Sequence, residues 1–85
     1  MNINSKIEAL FYEFKTSNVK EIADHLDISI QHQDFKAKTL DSRLMIVDSK
    51  GYIFVRSDLD CAYENFLIAH ELGHYVLHFD KDTSL

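Results

Sequence analysis

Phe66-Leu67-Ile68-Ala69-His70-Glu71-Leu72-Gly73-His74-Tyr75-Val76-Leu77-His78 is an apolar, helix-prone stretch with a His-Glu-x-x-His pattern at its centre. On a helix, residues four apart lie about one turn apart on the same face, so the imidazoles of His70 and His74 can reach one metal ion. Glu71 adjoins the first of them and leans over the same point, where a carboxylate can take a proton from water at the metal. The pattern predicts the catalytic helix of a zinc metallopeptidase, with His70 and His74 as ligands and Glu71 as the catalytic glutamate. The helix is expected to begin near Cys61 and to run through His74, as far as Leu77 or His78. Gly73 lies inside it at a cost of about 1 kcal/mol relative to Ala, which suggests close packing against another backbone.

A catalytic zinc takes three protein ligands and keeps a fourth position open. The third ligand is not evident, and His78, Asp80 and Asp82 lie downstream. His78 sits roughly 12 Å along the axis from His70 if the helix continues, too far for both to hold one ion. Asp80 occupies the third-ligand place of the longer pattern His-Glu-x-x-His-x-x-Gly-x-x-His, with Asp for His, but Leu77 stands where Gly would turn the chain. Asp80 is therefore a candidate and Asp82 a lesser one; the plain alternative for both is a solvated tail.

The sequence upstream reads as an α+β arrangement of helix, helix, strand, hairpin and helix. Ser5 and Glu8 form a Ser-x-x-Glu capping box before Ile7, Leu10, Phe11 and Phe14, a core-facing helical stripe that closes at Lys15-Thr16-Ser17. Asn18 can cap a second, shorter helix lined by Val19, Ile22, Ala23 and Leu26. Val19 to Ser29 resembles the first helix and turn of a helix-turn-helix, yet Ile28, Ile30 and His32 alternate as a strand does. Residues 28–33 are read as a strand, 34–42 as a polar loop, and 43–48 and 52–56 as two strands. Ser49-Lys50-Gly51 is expected to join those two as a hairpin turn, with Gly51 at positive φ. The strand at 52–56 is a candidate sheet edge on which an extended substrate could add as another strand.

Eighty-five residues make one small domain, 1–85, with a modest core. The formal charge is −5 and no Lys/Arg cluster exists, which disfavours direct nucleic-acid contact. No apolar run approaches a membrane span, and Met1 to Lys6 is not a signal peptide. The single cysteine, Cys61, cannot form an internal disulfide, so a cytoplasmic location is expected, with Cys61 a plain free thiol. A core this small leaves self-association into a homo-oligomer open.

The stretch from Phe66 to His78 resembles the signature of the ImmA/IrrE metallopeptidases: an apolar run, Ala-His-Glu-Leu-Gly-His, then a Leu-His pair. The two strands before it, 44–47 and 52–55, follow that family's order of elements. The resemblance is specific over the last third of the chain and loose before it. It implies the N-terminal part of a zincin-like fold: two helices, a small antiparallel sheet with a hairpin, then the active-site helix. It also implies zinc as cofactor, a cytoplasmic setting in phages, mobile elements or stress regulons, and cleavage or other relief of Xre-type helix-turn-helix repressors. In that family an acidic third ligand lies on a later helix, whereas this chain stops at Leu85. The chain is then the N-terminal portion of a longer domain, or a short member completed by a partner chain, weak in metal, or no longer catalytic. Two readings compete: hydrolysis of a peptide bond in a regulatory protein, or a module that binds such a protein without cutting it.

Overall fold

Helix α1 spans Ile3–Phe14. It starts upstream of the expected cap, so Ser5 lies inside it and the Ser5–Glu8 box does not mark its beginning. A capping box favours a start without forbidding helix before it. The computed structural model describes residues 3–34 and 41–83, with side chains for 6–34 and 41–78. The remaining elements are α2 (Val19–His25), β1 (Ser29–Gln33), β2 (Ser42–Val47), β3 (Lys50–Arg56) and α3 (Cys61–Thr83).

Both short helices end in the same way. Lys15 takes φ 56° and Asp27 takes φ 56°. Thr16 N–H donates to the Phe11 carbonyl at 3.2 Å, and Ile28 N–H donates to that of Ala23 at 2.8 Å. These are Schellman closures, in which the left-handed residue turns the chain back over the last turn. The second closure delivers Ile28 into the core, where it is buried. Asn18 caps α2 as its sequence predicts: its Oδ1 accepts from Lys20 N–H at 3.0 Å and Glu21 N–H at 3.3 Å. The cap of α3 is Asp60, whose Oδ2 accepts from Ala62 N–H at 3.1 Å.

The sheet has the order β1-β3-β2. β2 and β3 form the expected antiparallel hairpin, but β1 pairs with β3 in parallel, so the sheet is mixed rather than antiparallel throughout. Hairpin chemistry fixes β2 against β3; it says nothing about which side of the hairpin an earlier strand takes. Lying between two partners, β3 is the central strand and cannot serve as the substrate edge that its sequence suggested. β1 and β2 are the edges.

The hairpin turn also differs from its expected form. Val47 pairs directly with Lys50, and the two residues between them, Asp48 and Ser49, take φ 51° and 67°. Positive φ at both central positions is the type I′ turn, whose twist matches the strands. Gly51 is a strand residue without positive φ. Its need for Gly is steric: a Cβ there would stand 2.8 Å from Tyr75 Cε2 and 3.1 Å from Ile28 Cγ1. Gly51→Ala is expected to destabilise the fold by roughly 1–3 kcal/mol through this overpacking. Urea unfolding of the two proteins checks it, and an unchanged midpoint would contradict the contact.

Alternation along β3 buries Gly51, Ile53 and Val55 on the face turned to the helices. Ile22, Ile53, Val55, Ile68 and Leu72 are the largest fully buried side chains. Ile68 and Leu72 belong to α3 and bracket His70 and Glu71, so the helix that carries the motif is anchored at the centre of the core. It packs against α1, α2, β2 and β3.

Candidate metal centre

α3 runs helically through the whole His-Glu-x-x-His pattern and on to Thr83, beyond the expected end. Its inward stripe comprises Glu64, Leu67, Ile68, Glu71 and Leu72, all buried. His70 and His74 lie on the adjacent exposed flank. Their Nε2 atoms stand 3.1 Å apart, and the rings meet edge to face with centroids 4.6 Å apart. Two nitrogens held about 2.0–2.1 Å from one tetrahedral ion stand about 3.3–3.4 Å apart. The observed separation is within a few tenths of an ångström of that value, so this pair fits two corners of a zinc site. The predicted convergence of the two imidazoles is present.

The described residues around them do not supply the third corner. Among the described residues, no group of three or more His, Cys, Asp or Glu side chains could hold a metal ion. His78 is exposed, one turn past His74 on the same continuous helix. The backbone does not turn at Leu77, and residue 80 continues the helix. The side chains of Asp80 and Asp82 lie outside the described residues.

Glu71 is 8% exposed, and its Oε2 accepts a hydrogen bond from Ser42 Oγ at 2.7 Å. Ser42 is the first residue of β2. The residue before it is pinned in turn: Asp41 Oδ1 accepts from Arg56 Nε at 2.8 Å, and its Oδ2 accepts from Tyr63 Oη at 2.8 Å. Its carbonyl accepts from Arg56 N–H at 2.8 Å. The Tyr63 hydroxyl and the Arg56 guanidinium hold the Asp41 carboxyl below its usual range. In the same contact Asp41 pushes the Tyr63 hydroxyl up.

A second carboxylate on α3 mirrors the first. Glu64, seven residues earlier, is 9% exposed. Its Oε2 lies 2.8 Å from Lys20 Nζ of α2, and its Oε1 lies 2.5 Å from His32 Nε2 of β1. The sheet register explains the pairing. His32 stands opposite Val55, and Val55 stands opposite Ser42, so His32, Val55 and Ser42 form one row across the three strands. Two strand spacings cover about 9.6 Å, and seven helical residues rise about 10.5 Å. α3 therefore crosses the sheet with its two buried carboxylates spaced to meet both ends of that row.

The Lys20 hydrogen bond, and then that of His32, hold the Glu64 carboxyl below its ordinary value against the opposing effect of burial. A carboxyl depressed in the fold contributes stability above its unfolded value and loses it as pH falls through the folded one. Since Lys20 and His32 are half-exposed, Glu64→Gln is expected to cost on the order of 1 kcal/mol at pH 7. The variant is also expected to show a shallower stability loss than the wild type below about pH 4.5. Urea midpoints at pH 7 and pH 3.5 check both; a constant difference between the two proteins would exclude the linkage.

Sequence reasoning missed Ser42, Glu64 and His32. Glu64 carried a signal, since seven residues places it on the stripe of Glu71. Ser42 carried none, because only the strand register brings it to the helix.

A profile of the family described as the IrrE N-terminal-like domain, a peptidase family, matches residues 23–85. The chain belongs to that family. The matched span contains the sheet, α3 and the convergent histidines; it begins inside α2 and leaves out α1. A curated relative from Bacillus phage phi105, "Uncharacterized immunity region protein 2", is 31% identical over 86 residues. That alignment takes in 95% of this chain and 51% of the relative, so the chain spans about half the relative's length. No solved structure matches the chain. Among the described residues, no helix is long and apolar enough to cross a membrane.

Proposed function

We propose that the chain is a cytoplasmic, zinc-dependent metallopeptidase domain of the ImmA/IrrE type, which hydrolyses a peptide bond in a regulatory protein such as an Xre-type repressor. The observation that carries this reading is the 3.1 Å approach of the His70 and His74 Nε2 atoms on an exposed helix face, beside a buried glutamate held by a hydrogen bond. A zinc ion held by that pair would supply Lewis acidity toward a peptide carbonyl and a water. Glu71 accepts the proton of the attacking water and later passes it to the leaving amine. Because α3 is continuous through Thr83, residue 80 lies about 15 Å along the axis from His70, which puts Asp80 out of reach of an ion on His70 and His74; the third ligand falls to residues outside α3. β2 borders Glu71 through Ser42, and an extended substrate adds along that edge, aligned by backbone hydrogen bonds. The relative's printed name puts that protein in the immunity region of a phage, which supports a regulatory partner for this chain.

The competing reading is a zincin-like module that binds a regulator without cutting it. The presence of only two ligands among the described residues favours it. The discriminating experiment mixes the zinc-loaded chain with an Xre-type repressor, followed by intact-mass spectrometry and size exclusion. Two fragments summing to the repressor mass support hydrolysis. A stable complex with intact repressor supports the module and ends the peptidase reading.

A further inference from the structure

We propose that Ser42 is a positioning residue for Glu71, holding one carboxylate oxygen so that the other is aimed at the space beside His70 and His74. The proposal rests on the peptidase reading and deepens it. Three observations carry it. First, the Ser42 Oγ to Glu71 Oε2 bond is 2.7 Å long, within the range of short hydroxyl-to-carboxylate bonds. It reaches Glu71 from outside α3, across the helix–sheet boundary. Second, Ser42 is itself immobilised. Asp41, its neighbour, is tied to Arg56 on β3 by a side-chain and a backbone bond, and to Tyr63 on α3 by its other oxygen. Third, the far end of the same strand row is tied down by the His32–Glu64 contact, which fixes where α3 lies across the sheet. A glutamate side chain has three rotatable bonds and, on an open helix face, would sample several orientations. Burial, one oxygen anchored and a helix registered at two points leave it few. A base held in the productive geometry works faster than one that must find it, and misplacement by about 1 Å can cost 100-fold.

The test uses the full zinc-loaded chain, with Ser42→Ala and Ser42→Thr, on a pooled library of internally quenched fluorescent peptides. Ser42→Ala is expected to lower kcat roughly 10-fold or more while KM and zinc content stay near wild type. Ser42→Thr keeps the hydroxyl and is expected to recover most of kcat. A purely structural role would lower melting temperature without this split between kcat and KM. The second readout needs no turnover: the side-chain carboxyl 13C resonance of Glu71, picked out among the five glutamates by its loss in Glu71→Gln. It is expected to move in Ser42→Ala and to return in Ser42→Thr. Wild-type kcat in Ser42→Ala, equal losses in both variants, or an unmoved Glu71 resonance would each overturn the proposal. If wild type cleaves no peptide, the peptidase reading fails on its own, and the resonance alone decides whether Ser42 positions Glu71.

Discussion

After loading with zinc and removal of excess metal, the protein is expected to retain about one zinc per chain and His74→Ala almost none. The reason is geometric. His70 and His74 present Nε2 atoms 3.1 Å apart on a rigid, core-anchored helix, so two ligands are organised before any ion arrives. Deleting one leaves a single imidazole of the converging pair. The same linkage predicts a thermal signature. A ligand that binds only the folded state at about 100 times its Kd stabilises by about 2.7 kcal/mol. For a domain of this size each kcal/mol moves the melting temperature by about 4–8 °C. Zinc is therefore expected to raise the wild-type melting temperature by more than about 10 °C and to leave that of His74→Ala in place. Elemental analysis and a thermal scan with and without zinc make the measurement. Well-folded wild-type protein with near-zero zinc and no thermal shift would transfer the site to the binding-module reading.

The parts of this centre that could be read in the sequence are those set by local geometry. Four-residue spacing on a helix brings His70 and His74 together wherever the helix goes. Asn18 caps α2 because its side chain reaches its own following backbone. The apolar stripe of α1 and the β-branched runs of β2 and β3 declare their periods within a few residues. What was illegible depends on contacts between distant residues. Gly51 reads as a turn glycine beside Ser49-Lys50, yet its smallness answers to Tyr75, twenty-four residues away, while Asp48 and Ser49 accept the left-handed conformations. Lys15 and Asp27 likewise fill positions where glycine would be the expected signal. The parallel seat of β1 follows from no turn, and it converts β3 from an expected edge into the sheet's centre. Ser42 meets Glu71 only because that strand order sets the row His32–Val55–Ser42 beneath α3.

Replacing Glu71 by Gln separates chemistry from binding more cleanly than any histidine variant. Gln keeps the size of Glu and its side-chain oxygen can still accept from Ser42 Oγ, so neither packing nor the hydrogen bond of β2 to α3 need change. It loses the ability to take up a proton. Positioned general-base catalysis contributes about 100- to 10,000-fold, so kcat is expected to fall by at least 100-fold, about 2.7 kcal/mol of transition-state stabilisation. KM, zinc content and melting temperature are expected to hold, because His70 and His74 are untouched and the fold keeps its contacts. The contrast with His74→Ala matters: that variant loses metal and activity together and so cannot say which residue moves the proton. Cleavage of a zinc-sensitive substrate at an unchanged rate by Glu71→Gln would remove Glu71 from the chemistry and leave Ser42 holding a merely structural carboxylate. An unchanged effect on a regulatory partner, with no cleavage by either protein, would instead show that recognition, not hydrolysis, is what the helix and its neighbouring strand edge deliver.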